Sequence, residues 1–181
     1  MSKKLFIITA IAAVSLSACS TKSYDIEVDL SEEMRTDYEA TIVEYSEKFD
    51  SFETSINEDG TPDLPDFEWF VQKSRAEKEL GYIDDSIATL EEAIEVYSFS
   101  SIALHNLGKI YQNAGECKLA EDYFVELTKI EKPQYNYDIA YCYMKQGKNR
   151  SKVEEYYFKY RVSFPDNHDP EVEDYLAGDD K

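Results

Sequence analysis

Beyond Pro65 the chain repeats itself, and the length of the repeat limits the folds open to it. Gly81 and Gly115 lie 34 residues apart, as do Leu90 and Phe124, and Ala93 and Leu127. A step of 32 carries Leu107 to Ile139, Gly108 to Ala140, Tyr111 to Tyr143, Gly115 to Gly147, Phe124 to Tyr156 and Pro133 to Pro165. A unit of this size is one supersecondary element that cannot bury its apolar face alone, so neighbouring units must stack around a shared core. Three units follow, at about 67–100, 101–132 and 133–166.

The residue types say what each unit is. In the middle unit Gly108 and Ala120 allow two antiparallel helices to approach closely, Tyr111 and Phe124 fill the space beside them, Gly115 turns the chain, and Pro133 ends the second helix. The third unit keeps Ile139, Ala140, Tyr143, Gly147 and Tyr156 but has Lys152 where a small residue is expected. The first keeps Gly81, Leu90 and Ala93, with Lys73 and Glu77 at positions that should be apolar. The series Leu107-Gly108, Tyr111, Gly115, Ala120, Phe124 and Pro133 resembles the tetratricopeptide repeat. That resemblance implies an all-α fold, a solenoid of about three helix-turn-helix repeats, and a peptide-binding role for the concave groove lined by the first helix of each unit.

A long amphipathic helix precedes the repeats. Met34, Tyr38, Ile42, Tyr45, Phe49, Phe52 and Ile56 recur at spacings of three and four, which predicts a helix over 32–57. Its stripe must be covered, either by the repeats or by a partner. Residues 58–66, with Gly60, Pro62 and Pro65, read as a linker. The tail at 167–181 is acidic, and Pro170 to Leu176 reads as a short helical cap on the stack.

The first 18 residues differ from the rest. Lys3 and Lys4 precede an uncharged, mostly apolar run from Leu5 to Ala18, the pattern of a signal peptide and too short to cross a bilayer. Leu16-Ser17-Ala18-Cys19 resembles the lipobox of bacterial lipoproteins, which implies acylation of Cys19 and cleavage before it. Two or three acyl chains hold a protein on a membrane almost irreversibly, since each buried methylene contributes about 0.8 kcal/mol. Ser20 after the anchor implies sorting to the outer membrane of a Gram-negative envelope, on the periplasmic face. Residues 19–31, without helical or strand period, read as a lipidated polar tether that stands the domain off from the lipid.

Charge narrows the partners. With 38 acidic against 19 basic side chains, the formal charge of -19 argues against nucleic acid, whose phosphates require clustered Lys and Arg. On the repeat geometry the groove would carry Arg75 and Lys78 from the first unit, His105, Asn106, Lys109 and Gln112 from the second, and Tyr137, Tyr141 and Lys145 from the third. This basic and aromatic strip suits a protein or peptide segment with carboxylates and apolar anchors. A terminal-carboxylate clamp known in some relatives is matched only at Asn106, because Val71 stands where its first lysine belongs. Cys117 and Cys142 fall on neighbouring antiparallel helices, where a disulfide closing some 25 residues and a pair of buried free thiols are both open readings.

No HExxH, GxSxG, SxxK, CxxC or glycine-rich phosphate loop is present, and the two histidines belong to no metal pattern. The expected role is therefore non-enzymatic and without cofactor or metal. It is a membrane-anchored scaffold in assembly of an outer-membrane, pilus or secretion machine, or else an adaptor or inhibitor of a soluble periplasmic enzyme.

Overall fold

The computed structural model describes residues 22–97, 100–130, 132–147 and 149–178. The segment expected to be a signal peptide, and Cys19, lie outside them. Among the described residues eight α-helices follow one another: α1 (Glu32–Ser51), α2 (Phe67–Glu79), α3 (Ile83–Tyr97), α4 (Ser101–Asn113), α5 (Cys117–Thr128), α6 (Tyr135–Lys145), α7 (Arg150–Ser163) and α8 (Pro170–Ala177). The fold is all-α: among the described residues the only β feature is a single bridge between Ile56 and Pro62. None of these helices is long and apolar enough to cross a membrane.

Each helix packs on its neighbours in sequence, and α8 also reaches back to α6. Gly81, Gly115 and Gly147 turn the chain between α2 and α3, α4 and α5, and α6 and α7, with left-handed φ of 84°, 77° and 61°. Such φ values are open to glycine at little cost and strained for other residues. Side-chain caps fix several helix starts: Ser31 accepts from the N–H of Met34, Asp66 from Glu68, Ser100 from Ala103, and Asp169 from Glu171 and Val172.

The close approach of α4 and α5 is set at Gly108, where a Cβ would lie 2.6 Å from the ring of Phe124. Phe124, Leu107, Ala120, Leu127 and Ile139 are fully buried in the core that runs from α2 to α6. A second cluster joins α6, α7 and α8 through Ala140, Met144, Val153, Tyr157 and Val172. Stacked tyrosines recur along the molecule, Tyr111 on Tyr123 at 5.7 Å and Tyr143 on Tyr156 at 5.9 Å.

Four expectations meet a different local structure. Lys152 does not enter the core, because α7 starts three residues after Gly147 whereas α5 starts two after Gly115. Asn149, at a left-handed φ of 58°, is part of that longer turn. The buried positions are therefore displaced by one: Val153 and Tyr157, not Lys152 and Tyr156, take the places of Ala120 and Phe124. Lys73 and Glu77 replace apolar packing with a polar trio. Glu77, only 3% exposed, pairs with Lys73 and accepts a 2.8 Å hydrogen bond from the Thr89 hydroxyl on α3.

The helix expected over 32–57 ends at Ser51. Phe52 turns out of it to meet Trp69 at 6.0 Å, and Asn57 and Gly60 form the turn of the bridged loop. No α1 residue is fully buried: its C-terminal half packs on α2 through Phe49, 4.6 Å from Phe70, while Met34 and Val43 stay 46% and 56% exposed.

The segment read as a standoff tether is, from Lys22 onward, held against the helices. Lys22 pairs with Glu116 at the start of α5, and Ser23 Oγ donates to Asp84 Oδ2 at 2.7 Å. The Tyr24 ring meets Tyr111 edge-on at 5.7 Å, and Ile26 N–H donates to the Gly81 carbonyl at 3.0 Å. The absence of a period in this stretch reflects an extended strap, not a free chain.

Candidate partner-binding groove

The nine strip residues do not line one continuous groove. Arg75, Lys78, Asn106 and Lys109 border a cleft of about 180 Å³ between α2, α3 and α4. Gln112, Tyr141 and Lys145 border another, of about 300 Å³, where α4, α5 and α6 meet beside Cys117. His105 and Tyr137 line neither cleft.

Between the two clefts stands a polar bridge from α4 to α6. Lys109 Nζ pairs with the buried carboxylate of Asp138 and donates to Gln112 Oε1 at 2.9 Å, while Gln112 Nε2 reaches Cys142 Sγ at 3.7 Å. The sequence reading missed Asp138, which cancels the charge of Lys109. An acid on the same face of a neighbouring first helix was the signal that could have revealed it.

At the second cleft Lys145 is paired with the C-terminal helix. Lys145 Nζ donates to Glu171 Oε1 of α8 at 2.5 Å and lies 5.0 Å from the Tyr141 ring centre; the Glu171 hydrogen bond holds its pKa above the ordinary lysine value. Tyr137 Oη donates to Asp169 Oδ2 at 2.5 Å. Burial, reinforced by this bond, raises the phenol pKa, and the bond lowers that of Asp169. His105 is half-buried against Tyr135, its ring centre 5.4 Å away, and burial holds its imidazole below the usual pKa.

The first cleft remains open. Lys78 pairs loosely with its neighbour Glu79 at 3.1 Å and is 48% exposed. Arg75 is exposed and, alone among the described lysines and arginines, its side chain has no hydrogen bond or ion pair to another described residue. Asn106 and Asn113 add amide groups at the rim, and Val71, Leu90 and Ile110 an apolar lining. An arginine fork beside amide donors recognises a carboxylate, and the apolar lining accepts an adjoining side chain. Asn113 and Ser74 were not singled out in the sequence, because a polar residue on an exposed helix face carries no distinguishing pattern.

Cys117 opens α5 and Cys142 lies in the last turn of α6. Both are buried free thiols, close enough for a hydrogen bond between them, and burial pushes the Cys142 pKa well up, so the thiol form dominates. Among the described residues no group of three or more His, Cys, Asp or Glu side chains is placed to hold a metal ion. Set against protein-family models, curated proteins and solved structures, the chain matches none.

Proposed function

We propose that this chain is a lipoprotein anchored through Cys19 to the periplasmic face of the outer membrane. Its helices form a tetratricopeptide-like solenoid that holds an acidic segment of a partner protein during assembly of an envelope machine. The three glycine-turned helix pairs and the close contact of Gly108 with Phe124 support the solenoid reading. The observation that carries the binding reading is Arg75. In a chain with twice as many acids as bases, its guanidinium has no described partner although fourteen other lysines and arginines in the described residues do. An unpaired cation at the mouth of a cleft is available to a ligand carboxylate, whereas Lys109 and Lys145 are already satisfied within the molecule.

The test is site-specific photo-crosslinking of the full chain in intact cells. A photoreactive amino acid at Asn113, on the cleft rim, should give a discrete adduct that Arg75→Glu removes. The same group at Phe158, an exposed residue of α7, which does not line the cleft, should not. An adduct that survives Arg75→Glu would move binding out of the cleft. An adduct with a soluble enzyme, in place of an integral membrane component, would replace the assembly role with a regulatory one.

A further inference from the structure

We propose that the docked strap fixes which end of the protein meets the membrane: the end carrying the α2–α3 and α4–α5 turns lies at the lipid surface, and the end carrying Trp69 points away. The inference rests on the lipid-anchor reading of Cys19 and concerns orientation, which that reading leaves free.

The strap is joined to the body at successive residues. Lys22 pairs with Glu116, Tyr24 N–H donates to Asp84 Oδ1 at 3.0 Å, and the Asp25 carboxylate accepts the N–H of Asp84 at 2.9 Å, in the first turn of α3. Ile26 is bonded to Gly81, and Arg35 holds the Val28 carbonyl at 3.2 Å. Gly81 is required by this arrangement, since a Cβ there would overlap the Ile26 carbonyl oxygen. Gly115 has a similar φ and nothing within 4 Å.

Chain length then does the rest. Cys19 and Lys22 are three residues apart, so an acylated Cys19 lies within about 11 Å of the Lys22 Cα. The body is longer than that reach: α2, with 13 residues, spans about 20 Å, and Trp69 sits in its first turn, at the end away from Gly81. With the strap docked, the body cannot invert. At this end Lys22 also neutralises Glu116.

The experiment uses the acylated full chain in phosphatidylethanolamine–phosphatidylglycerol vesicles containing a dansyl-headgroup lipid, and reads energy transfer from tryptophan to dansyl. Trp69 is the single tryptophan, so the native protein reports on the far end. Trp69→Phe combined with Ala114→Trp reports on the near end, and Tyr82→Trp in the same background is a second near-end donor that guards against misfolding of the first. Both near-end donors should transfer at least twofold more efficiently than Trp69. Equal transfer from both ends, with the acyl adduct on Cys19 verified by mass, overturns the orientation and leaves the anchor standing. Absence of the adduct removes the anchor reading and the orientation together. Insertion of twenty Gly/Ser residues between Thr21 and Lys22, about 25 Å of flexible chain, should abolish the difference. A difference that persists would mean that the body binds lipid by itself and that the strap does not set its orientation.

Discussion

The two ends of the helical stack treat the same kind of surface in opposite ways. At the N-terminal end the strap crosses the helix turns and leaves the α2–α4 cleft uncovered, with Arg75 unpaired at its rim. At the C-terminal end α8 folds over the strip itself, and Asp169 and Glu171 take the hydroxyl of Tyr137 and the ammonium of Lys145. A basic and aromatic strip is therefore not equivalent to a binding site. The deciding factor is whether an acidic segment of the same chain already sits on it.

The strongest way to break that contrast is to remove its cause. Truncation after Asp166 deletes α8, exposing the core around the fully buried Val172 and removing the Tyr157 Oη to Glu173 and Arg161 to Glu173 contacts at 3.0 and 2.8 Å. Loss of one buried aliphatic side chain with its polar partners should destabilise the chain by about 4 kcal/mol, measured by urea unfolding. The shortened protein should also bind an acidic peptide at a second site that Lys145→Ala removes. If no second site appears, occupancy by α8 is not what closes this half.

Two glycines offer a slightly smaller test of the other end. Gly81→Ala and Gly147→Ala both place a side chain at positive φ, which costs about 1–2 kcal/mol. Only at Gly81 does the new Cβ also meet the strap backbone, so this variant should lose about 3 kcal/mol in total as the Tyr24 ring and its neighbours are displaced. Equal destabilisation of the two variants would mean that the strap contributes nothing to stability.

Binding gives the next contrast. Arg75→Glu should weaken an acidic peptide by roughly 30-fold, about 2 kcal/mol for loss of a charge-assisted contact. Lys145→Ala in the full-length chain should change affinity less than about twofold, the scale expected of an exposed ion pair already made within the protein. Isothermal titration of both variants decides the point. Comparable losses would show that α8 yields to the ligand and that the two clefts act together.

What was legible in the sequence was periodic. The helices that carry Leu107, Tyr111, Phe124 and Ile139 follow from apolar spacing and from glycines at fixed separation, because burial and left-handed turns leave marks on residue type. The strap left no such mark: its hold on the body comes from backbone groups, from the Tyr24 ring on Tyr111 of α4, and from single polar residues of α3 and at the start of α5, none of which recurs with a period. The slip of one position in α7 was hidden because one residue inserted in a turn changes no composition, only which residues face inward. Within the site, Arg75 and Asn106 were visible as residue types on one helix face. Which cations stay unpaired depends on Asp138 and Glu171, whose contacts are tertiary.

Titration separates the two halves by the smallest effect. His105 stands on α4 between them, half-buried, with Nδ1 buried and lacking a described hydrogen-bond partner. Burial lowers its pKa from 6.5; Asp138 pulls it up, and Lys109 and Lys132 push it down. The unfolded chain then binds a proton at higher pH than the native one does, so the contribution of neutral His105 is complete above the ordinary pKa and declines as pH falls below it. The carboxylates of the α8 end behave differently, because hydrogen bonds from Tyr137 and His168 lower Asp169 and Glu173 below their ordinary 3.8 and 4.5. Their contribution persists through mild acid and is lost only as pH falls through those lowered values. Melting curves between pH 7.5 and 5.5 should therefore fall for the native protein and flatten for His105→Phe by roughly 1–2 °C, a few tenths of a kcal/mol in a chain of this size. Parallel curves for the two proteins would mean that the imidazole gains its proton without strain, and that the centre of the molecule is wetter than its packing against Tyr135 implies.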